Sequence, residues 1–130
     1  MKTVRKAAAI IRDGDRVLLV KERAPWMYGC WNWSQGSMEE GEAPEETAVR
    51  EAKEETGLDT QIVRKLAMLT DTFPDTSELH VYEVAVTGGE LAFPEWEIME
   101  LRWYTLEELA GMEKEFAGPW VAEVLRTFVL

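Results

Sequence analysis

The segment REAKEETGL, residues 50–58, gathers Glu51, Glu54 and Glu55 within about one and a half helical turns. Like charges at helical spacing destabilise a helix by a few tenths of a kcal/mol per pair. Such a cluster either lies on a solvated acidic face or holds a cation. Carboxylate oxygens suit hard cations such as magnesium or manganese, which keep waters and substrate phosphates as their remaining ligands. A cation held there would lower the pKa of a bound water and offset charge developing on a diphosphate under attack. An acidic surface helix is the competing explanation in a chain with 25 acidic residues.

The surrounding residues predict a helix over 43–56. Pro44 suits its first turn, Glu45 and Glu46 complement the positive end of its dipole, and Gly57 suits its C-terminal cap. On the helical wheel the three carboxylates border the stripe formed by Ala48, Val49 and Ala52, while Glu46, Arg50 and Lys53 lie on the other side. A purely solvated face would centre its acids opposite the apolar stripe. Alanines let the helix lie close to a sheet, which fixes its position as a metal site requires.

The remaining elements must form that sheet. Two apolar runs flank Asp13-Gly14, a dipeptide that closes two-residue hairpins, and predict strands over 4–12 and 16–22. From Arg23 to Gly41 the chain is irregular and Trp-rich, with a short strand around Trp31 to Ser34. The segments TQIVRKLAMLTDTF and ELHVYEVAVT are β-rich, with Gly88-Gly89 as a turn, and ELRWYTL is a further strand. TLEELAGM predicts a short helix, and PWVAEVLRTFVL an amphipathic helix starting at Pro119. Strands with one central and one C-terminal helix give an α/β or α+β sandwich, a mixed β-sheet flanked by helices.

Composition narrows the function. With 46% hydrophobic and 30% charged residues among 130, the chain is expected to fold as one globular domain over residues 1–130. A net charge of -11 opposes binding of long nucleic acid, which is recognised first through its phosphates. A small anion would need metal ions or local basic residues. The single cysteine, Cys30, excludes an intramolecular disulfide and a cysteine zinc cluster. The apolar run after the N-terminal basic residues breaks at RDGD, unlike a signal peptide or membrane span. A soluble, cytoplasmic protein without membrane association is expected.

Gly36 is followed after five residues by Glu42, and after seven more by Arg50-Glu51-Ala52, then Glu54-Glu55 and Gly57-Leu58. This resembles the signature of the Nudix hydrolases at all seven of its fixed positions. AAAIIRDGDRVLLVKER, GCWNWSQGSMEEGE and EIMELRWYTLEEL are similar to the family's first strands, the loop before its helix, and its late strand and short helix. The resemblance implies the Nudix α/β/α sandwich and a Mg2+ (or Mn2+) cofactor. It implies metal ligation by Glu51, Glu54, Glu55 and the Gln35 carbonyl. Glu51, Glu54 and Glu97 are the implied catalytic carboxylates, one of them deprotonating the attacking water. Glu42 and Arg50 would form a structural ion pair locking loop to helix, with Glu39 at another frequent acidic position of that loop. The chain has Ser34-Gln35-Gly36 where the family usually has Pro-Gly-Gly, so Gln35 lacks the freedom of glycine to reach positive φ. A loop needing that conformation would leave the metal site distorted.

Arg23 is the candidate phosphate contact, and Trp26, Tyr28 and Trp96 are candidate substrate-binding aromatics, because stacking on a base contributes about 1–3 kcal/mol. Trp33 and Phe93 are expected in the same flanking loops, and Trp31 and Trp103 in the core. Glu95 is a further acidic candidate; His80 and Cys30 have no chemical context. The function implied is metal-dependent pyrophosphohydrolysis of a diphosphate linkage in a nucleotide-type substrate: a nucleoside triphosphate, ADP-ribose or a nucleotide sugar. Pro74 lies where ADP-ribose-cleaving members often carry a proline. The alternatives are a Nudix-fold nucleotide-binding or regulatory module without turnover, and an isoprenoid diphosphate isomerase, which Cys30 is poorly placed to serve. The sequence does not fix an oligomeric state; many members of the family are dimers, and the aromatic segments offer surface for a homodimer.

Overall fold

In the computed structural model, which describes residues 3–71 and 76–129, β1 (Thr3–Asp13) and β2 (Arg16–Glu22) meet across the expected two-residue loop, Asp13 pairing with Arg16. Pro74 lies outside the described residues. The chain continues through β3 (Trp31–Asn32), β4 (Ser34–Ser37), α1 (Pro44–Thr56), β5 (Leu58–Asp71), β6 (Thr76–Gly89), β7 (Ile98–Thr105), α2 (Leu106–Ala110) and α3 (Pro119–Phe128). The strands form one mixed sheet in the order β3-β2-β1-β6-β5, with β4 paired to β1 and β7 to β2. The β1–β6 pairing is parallel.

The alanines of β1 set the layers. Ala7 and Ala9 face α1, where they pack with Ala48, Ala52, Leu18, Tyr82 and Val84. Ala8 and Ile10 face the opposite side, with Leu19, Trp33, Val81, Val121 and Leu125. Short side chains on both α1 and β1 bring helix and strand close together, and burial of each large aliphatic residue on the second face contributes about 1.5–3 kcal/mol. The result is an α/β/α sandwich with α1 on one face and α2 and α3 on the other.

The ends of α1 follow from local chemistry. Pro44 occupies the first turn, and Glu46 Oε1 accepts the Ala43 N–H at 2.9 Å. At the C-terminus Gly57 adopts φ 79° and its N–H reaches the Lys53 carbonyl at 2.9 Å, a left-handed cap that glycine makes at low cost. The Ala92 N–H donates to the Thr56 carbonyl at 2.9 Å. That bond ties the segment leading to Trp96 and Glu97 against the end of the carboxylate-bearing helix.

Two expectations need correction. Gly88 and Gly89 do not form a turn; they continue β6 and pair with Asp59 and Leu58. A β-carbon on Gly89 would collide with the Gly57 carbonyl, so this glycine permits two backbones to cross closely rather than reversing the chain. Trp33 is not a cleft-lining loop residue. It lies between two short strands and is fully buried, because β3 and β4 both join the sheet and turn its indole into the core.

Candidate active site

One arginine joins α1 to the segment before it. Arg50 Nε and Nη2 donate to Glu42 Oε2 and Oε1 at 2.8 and 2.9 Å, a two-pronged pair, and Nη2 also donates to the Ser37 carbonyl at 3.0 Å. Nη1 donates to Glu51 Oε1 at 2.8 Å and to Glu54 Oε1 at 3.1 Å. Glu42 accepts further bonds from Thr47 Oγ1 at 2.6 Å and the Glu39 N–H at 3.1 Å. The Arg50 hydrogen bonds, then those from Thr47 and Glu39, hold the Glu42 carboxyl down at about 2. The Glu39 carboxylate is exposed, 3.7 Å from Arg50 Nη1.

Glu55 turns inward and is 3% exposed. Its Oε1 accepts from Ser34 Oγ and from the Gln35 N–H, both at 2.9 Å. Burial lifts its pKa to about 9; Ser34 opposes that rise, and the charges of Glu97, Glu51 and Glu22 add to it. Burial also raises Glu51 and Glu22. The Glu54 side chain is 54% exposed, so the three carboxylates of α1 occupy three environments: core edge, half-buried rim and solvent.

Gln35 sits in β4 opposite Ala8, and no non-glycine residue among those described has positive φ. The departure from the usual glycine therefore introduces no strained backbone. The contact to Glu55 uses only a main-chain N–H, which any residue but proline supplies.

A cavity of about 510 Å³ opens beside Glu55, lined by Arg23, Trp26, Gln35, Trp96 and Glu97 among others, and neither Glu51 nor Glu54 lines it. Trp26 and Trp96 are 81% and 82% exposed. Tyr28 is exposed as well, but stands outside the cavity lining. Phe93 lines a separate surface hollow with Trp96. Arg23 Nε is buried without a hydrogen-bond partner among the described residues. Sequence reasoning missed Glu22 and Lys6, which also line the cavity. Glu22 ends a strand inside a charged KER run that reads as a solvated edge, and Lys6 precedes the buried alanines of β1 with no local signal. The irregularity in the β2–β7 pairing between Lys21 and Glu22 is visible only in three dimensions.

The donor set fits a hard divalent cation. Glu51, Glu54, Glu55 and the Gln35 carbonyl offer only oxygen. Glu55 is buried with like charges near it, and a cation would relieve both penalties. Among the described residues, no three acidic, histidine or cysteine side chains already converge on one cation position; Arg50 engages Glu51 and Glu54 instead.

The pattern that defines the NUDIX domain matches residues 2–128, and the chain belongs to that family. A Caenorhabditis elegans protein provisionally named nudix hydrolase 1 is 32% identical over 116 residues, covering 86% of this chain and 31% of the relative. A Mycobacterium tuberculosis protein provisionally named 8-oxo-dGTP diphosphatase 3 is 33% identical over 117 residues, covering 83% and 54%. The chain thus spans about half, or less, of the length of these relatives. Among solved structures, a NUDIX hydrolase from Nitrosomonas europaea superposes with a TM-score of 0.82 at 22% identity, covering 96% of this chain and 87% of that one. Among the described residues no helix is long and apolar enough to cross a membrane.

Proposed function

We propose that the protein is a metal-dependent pyrophosphohydrolase that cleaves a diphosphate linkage in a nucleotide-type substrate. The observation that carries this reading is the cavity itself. The carboxylates of Glu22, Glu55 and Glu97 line it together with the cations Lys6 and Arg23, and Arg23 Nε has no hydrogen-bond partner among the described residues. A polyanion has no reason to enter a cavity of carboxylates alone, and a cation has no need of Lys6 and Arg23. A phosphate-bearing ligand with a divalent cation satisfies both sets.

Glu51, Glu54, Glu55 and the Gln35 carbonyl would hold Mg2+ or Mn2+, which when bound supplies charge stabilisation and a more acidic water. Ser34 and the Gln35 N–H hold the Glu55 carboxylate in one orientation, and Arg50 holds Glu51 at the rim. Arg23 directs its buried Nε toward a phosphate oxygen. Glu97 is the candidate base: it lines the cavity, and no donor among the described residues engages its carboxylate. Trp26 and Trp96 flank the mouth and suit stacking on a base or another flat group.

The test is release of phosphate, pyrophosphate or nucleotide from nucleoside triphosphates including an oxidised guanine nucleotide, ADP-ribose, nucleotide sugars and dinucleoside polyphosphates. Each is incubated with magnesium, with manganese and with chelator. Metal-dependent cleavage of any one supports the reading and names the substrate class; silence across the panel with all metals sinks it.

A further inference from the structure

Lys6 and Gln35 line both the 510 Å³ cavity and a second one of about 230 Å³, whose other walls include Leu69, Ser77, Leu79 and Trp120. In the β1–β4 ladder Gln35 opposes Ala8 and Lys6 opposes Ser37. The two side chains therefore leave the same face as diagonal neighbours, a separation that long side chains bridge. Both are half-buried.

The Gln35 amide is fixed by the core. The indole Nε1 of Trp33, a fully buried residue, lies 2.7 Å from Gln35 Oε1. An indole nitrogen only donates, so the atom facing it must be the amide oxygen and not the NH2 group. That settles the orientation of the amide and leaves its two N–H donors without an acceptor among the described residues. Lys6 Nζ likewise has no carboxylate or hydrogen-bond partner among them. Asp71 and Glu78 also line the second cavity, but neither forms an ion pair with the Lys6 ammonium, so in a chain with 25 acidic and 14 basic residues its charge stays available to another anion.

We propose that Lys6 and Gln35 form a donor pair for a phosphate group of the substrate other than the one under attack, and that Gln35 thereby determines specificity for ligands carrying that phosphate. Lys6 supplies charge, and the Gln35 NH2, polarised by the bond from Trp33, supplies directed donors. Glu22, Glu55 and Glu97 in the first cavity and Asp71 and Glu78 in the second repel a phosphate that no cation screens, so Lys6 and the Gln35 amide at the junction are the groups that offset that repulsion there. The proposal rests on the hydrolase reading for its nucleotide-type ligand, but that reading uses Lys6 only as part of the basic lining and Gln35 only through its main chain, and gives the Gln35 side chain no role.

The experiment is calorimetric titration of the full chain, in chelator, with a nucleoside 5′-triphosphate, with inorganic tripolyphosphate and with the free nucleoside. The variants are Gln35→Glu, which keeps an acceptor for Trp33, and Lys6→Met, which keeps the aliphatic stem; thermal melting checks that each folds. Each variant is expected to bind the triphosphate and the tripolyphosphate about tenfold more weakly and the nucleoside unchanged. Wild-type affinity in both folded variants, an equal loss for the nucleoside, or no triphosphate binding by the wild type would overturn the pair. Turnover of the same triphosphate with magnesium separates the two readings. A wild type that binds and never cleaves counts against hydrolysis alone, whereas cleavage with an unchanged KM in both variants counts against the donor pair alone.

Discussion

The carboxylate of Glu51 fills the space that a β-carbon on Gly36 would occupy: a methyl group built there falls inside the van der Waals envelope of Glu51 Cδ, Oε1 and Oε2. Gly36 is not required for a left-handed backbone, since its φ is not positive. It is required for room. Gly36→Ala must push Glu51 away from β4 and from its bond to Arg50. Displacement of a catalytic group by about 1 Å can cost on the order of 100-fold in rate, so turnover should fall by about that factor. The melting temperature should change little, because the strain resolves at a half-exposed rim. Steady-state kinetics beside thermal melting checks this, and full activity in Gly36→Ala would remove Glu51 from the site.

Arg50 makes five hydrogen bonds to four residues of the loop and helix. Arg50→Ala leaves Glu42 without its strongest partner and frees the loop, so the melting temperature should drop by roughly 3–8 °C together with activity. An unchanged melting temperature would refute the locking role.

The same pair predicts an acid dependence. The folded Glu42 carboxyl is held at about 2 against an ordinary value of 4.5. A depressed carboxyl stabilises the fold fully above its unfolded value and loses that contribution as pH falls through its folded value. The melting-temperature gap between wild type and Glu42→Gln should therefore be widest above pH 4.5 and close as pH approaches about 2. A gap that persists unchanged to pH 2 would show that the substitution acts through packing.

Much of this site was legible because its signals are local. Asp13-Gly14, Pro44 and Gly57 mark element ends through backbone chemistry that does not depend on the rest of the chain, and β1, β2 and α1 form within a residue or so of where the sequence places them. The spacing from Gly36 to Leu58 reflects a strand, a loop and a helix that must meet at set distances. Lys6 and Glu22 were not legible. Each is defined by pairings between distant segments, β1 with β4 and β6 for Lys6 and β2 with β3 and β7 for Glu22, and neither carries a composition signal. Trp33 was misplaced for a related reason: a strand too short to show alternation gives no clue to which face its side chains take. Gln35 looked like a backbone defect in the sequence, yet the structure makes its side chain the informative part.

Substitution by glutamine should separate two of the α1 carboxylates by stability. Glu55→Gln keeps an oxygen that accepts from Ser34 and Gln35 and removes a carboxyl that, lifted to about 9 by burial, must take up a proton when the metal-free chain folds at neutral pH. The protein in chelator should therefore melt several degrees higher at pH 7, and the gap should close as pH falls to about 4.5. Glu54→Gln deletes a largely exposed partner of Arg50, and its effect should lie within about 0–1 kcal/mol. Both should stop metal-dependent turnover. Melting in chelator and kinetics in magnesium check the pair, and a Glu55→Gln protein that melts lower than wild type would show that its charge is already compensated in the metal-free fold.

Trp96 offers the clearest test of substrate contact because it is 82% exposed, leaving little packing to lose. If its indole stacks on a base, Trp96→Ala forfeits about 1–3 kcal/mol, or roughly 5- to 150-fold in KM, with kcat nearly unchanged. Trp26→Ala should act in the same direction, and the double variant should lose less than the sum if both rings hold one group between them. The control is a substrate of similar charge without a flat group, such as inorganic tripolyphosphate. A KM that rises equally for both substrates would show that the tryptophans shape the cavity mouth instead of reading the base.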